Sequence, residues 1–308
     1  MCKALLAALA AVSVVSSPVL AQSGAIDRGT LGFGRFFSND AIGDGKDRWR
    51  TGSYTVSMVR GPGWSYALPS RFGEIVEYRL RSEVIAPANL AAPAATDRRY
   101  VGALSLGMHT HFALAGAEAR VGFDLVATGR QTGVGQLQRR VHRLLDLKSP
   151  APALAGQIGD ALHPTLSAEL GQSFRLSERL RIRPFVEAQA GVESYLRVGG
   201  DLTFGSFGEG ALLLRDQVTG QRFTGIRGTD GAGTSFVLGA DVARVQDSAY
   251  LPSGGAAALE GTRSRLRAGL HWRGEKSEVF YGVTRLSREF SGQPAAQTVG
   301  SLRLRLRF

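Results

Sequence analysis

The sequence predicts an all-β chain, a transmembrane antiparallel up-and-down β-barrel of about 12 strands with a short amphipathic helix in an extracellular loop. Three observations predict it. First, residues 301–308 read Ser-Leu-Arg-Leu-Arg-Leu-Arg-Phe, apolar and charged in strict alternation up to a terminal aromatic residue. In water, such a strand would expose Leu302, Leu304, Leu306 and Phe308 and turn Arg303, Arg305 and Arg307 into any core. In a barrel wall the apolar set faces lipid and the arginines face a polar lumen; the reverse would cost about 2–4 kcal/mol for each arginine near the midplane. Second, Met1-Cys2-Lys3, the small apolar stretch Ala4 to Leu20, and Val19-Leu20-Ala21 before Gln22 have the form of a cleavable secretory signal. Third, no later stretch approaches the roughly 20 apolar residues of a membrane helix, so a mature chain that spans a membrane must span it with strands. The expected organisation is a signal at 1–21 and a single barrel at 22–308, exported to the bacterial outer membrane. Cys2 is the only cysteine, which leaves the mature chain without a disulfide.

The strands follow from period-2 patterning between clusters of Gly, Pro, Asn, Asp and Ser. Such segments lie near 31–38, 51–60, 73–86, 100–113, 115–128, 164–175, 179–192, 194–206, 233–245, 262–273, 277–287 and 297–308. Several split identically between faces. Val76, Tyr78, Leu80 and Val84 oppose Glu77, Arg79, Arg81 and Glu83. Leu180, Ile182, Val186 and Ala188 oppose Arg181, Arg183, Glu187 and Gln189. Leu266, Ala268, Leu270 and Trp272 oppose Arg265, Arg267 and His271. Charge of both signs on one side predicts a lumen filled by ion pairs rather than water, which argues against an open porin. An even strand count places both termini in the periplasm.

Between the fifth and sixth segments the period changes. Val134, Leu137, Val141, Leu144 and Leu145 recur at helical spacing through Gly135 to Leu147, flanked by Arg139, Arg140 and Arg143. This predicts a basic amphipathic helix in an extracellular loop, placed either at the membrane surface against anionic headgroups or as a cap on the barrel mouth. Charge agrees with an anionic partner: 37 Lys and Arg less Lys3, against 26 Asp and Glu, leave the mature chain at +10. A nucleic-acid partner is not expected, because the chain has no zinc-finger spacing, no RNP-like aromatic motif and no basic helix running into heptads.

Candidate chemistry gathers at few positions. His142 lies on the predicted helix, beside its apolar stripe, where a histidine can act as a general base near neutral pH. Asn39 and Asp40 follow the first segment and Thr51 begins the second, a grouping that is also ordinary turn chemistry. Asp40, Asp44 and Asp47 do not have EF-hand spacing. A rival arrangement pairs His109, His111 or His163 with a wall serine: Ser105 shares a strand face with His109, and Glu118 is on the next strand.

These residues join a longer pattern. Asn39-Asp40, Asp47-Arg48 leading to Thr51-Gly52, Asp97-Arg98-Arg99-Tyr100-Val101-Gly102, Gln138 with Val141-His142, Gln157, and Arg288-Glu289-Phe290 with Gln293 together resemble the signature of the outer-membrane lipid A deacylase family, in matching order and strand context. Arg99 and Val101 replace an expected Pro and Ala, no Gly-Trp pair precedes Gln157, and Lys148 stands where an acidic residue is expected after the histidine, with Asp146 nearby as a substitute. The resemblance implies a twelve-stranded barrel with its active site between the wall and a loop helix, and calcium-dependent hydrolysis of the 3'-linked acyl ester of lipid A. It implies His142 as the base that activates water, Asp40 as a calcium ligand, and Asn39 and Thr51 as the rest of the polar site. The partner would be lipid A or lipopolysaccharide of the outer leaflet, and the chain is expected to work as a monomer. The same fold stripped of its chemistry would be a structural or adhesive barrel.

Overall fold

The computed structural model describes residues 27–306. The signal at 1–21, Arg307 and the terminal Phe308 lie outside the described residues. The strands are β1 (Gly29–Asn39), β2 (Trp49–Gly61), β3 (Ile75–Ala86), β4 (Val101–Leu114), β5 (Ala117–Thr128), β6 (Ala161–Gly171), β7 (Phe174–Arg175), β8 (Leu180–Ala190), β9 (Glu193–Phe204), β10 (Leu212–Arg215), β11 (Arg222–Ile226), β12 (Gly233–Ser248), β13 (Thr262–Arg273), β14 (Ser277–Leu286) and β15 (Gln297–Leu306). All except β7, β10 and β11 form the wall. Its order is β6-β5-β4-β3-β2-β1-β15-β14-β13-β12-β9-β8, and β6 pairs with β8 to close the ring. Every pairing is antiparallel, as the twelve patterned segments predict.

The alternation sorts side chains by face. Phe33, Tyr54, Leu80, Leu106, Met108, Leu238 and Leu304 are exposed on the outside, while Glu77, Arg79, Arg81, Glu83, Glu187, Arg267 and Arg303 are buried inside. Buried charge is tolerated only when paired and hydrogen-bonded. Arg79 Nε lies 2.7 Å from Glu77 Oε1, Arg81 Nη1 2.6 Å from Glu83 Oε2, and Arg183 Nη1 2.7 Å from Glu169 Oε1. Arg267 pairs with both Asp201 and Asp241, and Arg303 with Glu278.

The lumen also holds a segment that strand patterning leaves unassigned. The connection from β9 to β12 turns back into the barrel, and β10 and β11 form a hairpin there, paired from Leu212↔Ile226 to Arg215↔Arg222. Leu212, Leu214, Phe223 and Ile226 pack against Phe36, Val59, Ile75 and Phe280 of the wall, with Phe223 stacked on Phe36 at 4.9 Å between ring centroids. Gly34 makes the close approach possible, since a Cβ there would sit 2.8 Å from the Phe223 ring. Arg215 ties the hairpin to the opposite wall, 2.8 Å from Asp201 and 3.0 Å from Glu169. The barrel is thus plugged by an apolar and ionic hairpin as well as by wall ion pairs. Four- and five-residue strands are too short to give a period-2 signal of their own.

Several boundaries differ from the expected ones, β6 starting at Ala161 and β12 running on to Ser248 among them. The sixth strand ends at Gly171 and the two-residue β7 follows as a separate piece, so 164–175 is not one strand. The helix ends at Leu144 rather than Leu147, stopped where Asp146 takes a left-handed backbone at φ 53°.

Candidate active site

The site forms at the extracellular rim, where the loop after β1, the start of β2 and the loop between β5 and β6 meet. That last loop carries α1 (Val134–Leu144) and the short α2 (Ala151–Ala155). Gly102 lets the start of α1 close on β4, because a Cβ there would lie 3.1 Å from both Thr132 Oγ1 and Val134 Cβ. Farther along α1, the Tyr100 hydroxyl donates to Gln138 Oε1 at 2.8 Å. The helix therefore presents Gly135, Gln138 and His142 to the barrel and leaves Leu137, Val141, Leu144 and Leu145 exposed, Leu144 by 84%. The apolar stripe does not cap the barrel mouth. It faces away from the barrel, apart from Val134, which is buried at the start of the helix.

His142 is buried, 6% exposed, on the barrel side rather than at the lipid boundary. Its Nδ1 lies 2.7 Å from the Lys148 carbonyl oxygen. A carbonyl only accepts, so Nδ1 carries a proton. Nε2 points at the β1–β2 loop, 3.2 Å from Asp47 Oδ2 and 3.3 Å from Gln138 Nε2. Lys148 thus serves the histidine through its main chain. The acidic neighbour of the imidazole is Asp47, from another loop; Asp146 is exposed at the helix end.

Asp40 is fully buried at the end of β1. Arg48 N donates to its Oδ2 at 2.8 Å, Gln297 Nε2 to the same oxygen at 3.2 Å, and Thr51 Oγ1 lies 2.9 Å from Oδ1. Thr51 Oγ1 is also 2.6 Å from Asp47 Oδ1. The hydroxyl has one proton, so it can satisfy only one of these carboxylates at a time. Burial pushes the Asp40 carboxyl up to about 7, against the lowering effect of the Arg48 amide and Thr51, with Asp47 and Asp44 raising it further. In the same loop, Asp44 Oδ1 is buried without a hydrogen-bond partner.

Three of the four expected site residues, His142, Asp40 and Thr51, are therefore linked through Asp47. Asn39 stands apart: its Oδ1 accepts from Ala41 N at 2.7 Å, and its amide lies over Gly52, its cross-strand partner. Asp47 and Gln138 were visible in the signature but carried no assigned role, and nothing in the sequence pointed to Gln297.

Other signature residues brace the rim. Glu289 pairs with Arg98 and lies 2.8 Å from Arg50 Nε, and its amide donates to Gln293 Oε1 at 2.8 Å. Arg50 in turn reaches Glu83 at 2.6 Å and Glu193 at 3.0 Å. Arg99, in place of the expected proline, donates to the carbonyls of Gly156 at 2.8 Å and Gln157 at 3.1 Å, binding the β3–β4 loop to the end of α2.

The rival serine arrangement does not assemble. Ser105 Oγ donates to Asp124 Oδ1 at 3.2 Å, and His109 Nε2 lies 3.3 Å from the same oxygen, so both share one acceptor instead of contacting each other. His111 is held by Glu77 at 2.9 Å, His163 lies 3.3 Å from Thr128 Oγ1, and Glu118 pairs with Arg183 and Arg222.

A plugged twelve-stranded barrel with a histidine-bearing loop helix over an acidic rim defines the class as an outer-membrane barrel with a polar site at its mouth. Its family model, Outer membrane protein LpxR, matches residues 5–308, and the chain belongs to that family. The fold is similar to LpxR from Salmonella typhimurium, with a TM-score of 0.75 at 15% identity over 90% of this chain and 100% of that one. Weaker likenesses run to the KdgM porin, TM-score 0.40 at 6% identity over 90% of this chain and 98% of that one, and to the beta domain of the Bordetella autotransporter BrkA, TM-score 0.36 at 14% identity over 90% and 99%. No curated protein matches the sequence. The chain resides in the bacterial outer membrane, as the family and the closed barrel require.

Proposed function

We propose that this protein hydrolyses the 3'-linked acyl ester of lipid A, with water activated by His142 and calcium held with the help of Asp40. The observation that carries the reading is the imidazole: Nδ1 donates to the Lys148 carbonyl, which turns Nε2 toward the β1–β2 loop, 3.2 Å from the Asp47 carboxylate.

In the reaction, His142 Nε2 takes a proton from water as the oxygen attacks the ester carbonyl. The imidazolium so formed is stabilised by the Asp47 carboxylate. When the tetrahedral intermediate collapses, the C–O bond to the sugar breaks and His142 returns the proton to the leaving alkoxide, releasing the free acid. No serine nucleophile is needed.

The donor chemistry around Asp40 suits a hard cation. Two carboxylates converge on one hydroxyl, and a third has an oxygen without a partner. These are oxygen donors of the kind calcium prefers. Among the described residues no cluster of three or more His, Cys, Asp or Glu side chains forms a ready-made metal site. Asp40, Asp47 and Thr51 would hold the ion, with remaining oxygens from main chain, water or substrate. When bound, calcium would stabilise the negative charge that develops on the carbonyl oxygen.

Mass spectrometry of lipid A from cells with and without the protein tests the reading. Loss of the 3'-linked chain that depends on the protein is expected. Identical lipid A profiles under calcium-replete conditions would contradict it and favour a barrel that has kept the fold and lost the chemistry.

A further inference from the structure

The two flanks of α1 differ in chemistry. At about 100° per residue, Arg139 stands about 60° round the helix from His142 and about 4.5 Å along it. The exposed stripe of Leu137, Val141, Leu144 and Leu145 lies on the other side of the His142 arc. On the arginine flank, a cavity of about 260 Å³ opens between α1 and α2. Arg130 and Arg139 line it, with Gln136 and Gln157 as neutral polar groups and Ala151 and Ala155 leaving room, and no carboxylate is among its lining residues. The two helices pack closely at its base: at Gly135 a Cβ would come within 2.5 Å of Leu154 of α2.

We propose that this cavity binds a phosphate group of the same phosphorylated lipid whose ester is presented to His142, a proposal that rests on the hydrolytic reading above. Guanidinium groups bind phosphate through charge-assisted, often bidentate hydrogen bonds, and an amide can complete the shell. A pocket with two arginines and no acid selects an anion. An exposed apolar stripe on the opposite flank of the same helix favours an anion borne by a lipid. With phosphate held on one flank and an acyl chain along the other, the ester between them is placed on the His142 arc. The cavity thereby orients the substrate and selects phosphorylated over phosphate-free lipid.

The test measures binding of purified, folded protein carrying His142→Asn, which slows turnover by about 100- to 10,000-fold, to vesicles containing either phosphorylated lipid A or lipid A stripped of its phosphates. Heat-modifiability on gels serves as the folding control. The expected result is a preference for the phosphorylated lipid of roughly tenfold or more, the scale of charge-assisted hydrogen bonds. Adding Arg130→Gln with Arg139→Gln should reduce it to within about twofold. Ala151→Phe, which fills the cavity and changes no charge, should do the same. An undiminished preference in the double variant and in Ala151→Phe would overturn the proposal. So would displacement of the vesicles by inorganic phosphate at low concentration, which would make the site one for free phosphate. The two readings fail separately: a phosphate preference without hydrolysis by the parent protein would sink the reaction and keep the subsite, and hydrolysis without a phosphate preference would do the reverse.

Discussion

Thr51 carries one proton between two carboxylates, and that shortage governs the chemistry of the rim. Burial raises the Asp40 carboxyl to about 7, which favours proton uptake there when no cation is bound. The sign follows: the folded chain holds this proton more tightly than the unfolded one, so the group's contribution to stability falls as pH rises between 3.8 and about 7. A cation bound at Asp40 must displace the proton. Calcium affinity should therefore weaken by up to about tenfold per pH unit below 7, and Asp40→Asn should remove most of this dependence. Isothermal titration across pH 5 to 8 checks it; an affinity independent of pH would count against Asp40 as the ligand. Asp47 would share that ion and also faces the imidazole. Asp47→Asn should lower kcat by about 10–100-fold, less than loss of the base itself, and a kcat equal to that of the parent would remove it from the site.

Among the elements, the hairpin of β10 and β11 fills the lumen that the wall encloses. Replacing 212–226 by a short glycine-serine linker should open a conducting path and lower the unfolding temperature in detergent, because Phe36, Val59 and Ile75 lose their apolar cover and Asp201 and Glu169 lose Arg215. Planar-bilayer conductance reads the first effect; a silent bilayer would show that the wall side chains alone close the barrel. The wall strands were legible because each is long enough to repeat its inside-outside alternation several times. The hairpin was not, because its strands are short and bury both faces. The helix was legible from Leu137, Val141 and Leu144, but its orientation was not: periodicity identifies an apolar face without saying whether protein or membrane covers it. Tyr100 and Gly102 hold the opposite face against the rim and so turn most of the apolar face away from the barrel.

At the scale of the whole molecule, the barrel brings residues about a hundred positions apart in sequence into one site, and that is where sequence reasoning reached its limit. His142, Asp40 and Thr51 were found through resemblance. The contact that joins the histidine to the β1–β2 loop, made by Asp47, depends on loops folding over a closed ring, and spacing along the chain does not report it. The same closure places Gln297 of the last strand on the Asp40 carboxylate of the first loop. The central claim, that this assembly hydrolyses an ester with His142 as base, is tested most directly by comparing His142→Asn with His109→Asn and His111→Asn. Each would be purified, folded in detergent, checked for heat-modifiability and supplied with lipid A and calcium. The account predicts that His142→Asn folds and binds lipid but releases acyl chains roughly 100- to 10,000-fold more slowly than the parent. The other two variants, whose imidazoles sit among lumen ion pairs, should keep the parental rate wherever they fold. A folded His142→Asn protein that hydrolyses lipid A at the parental rate would contradict it.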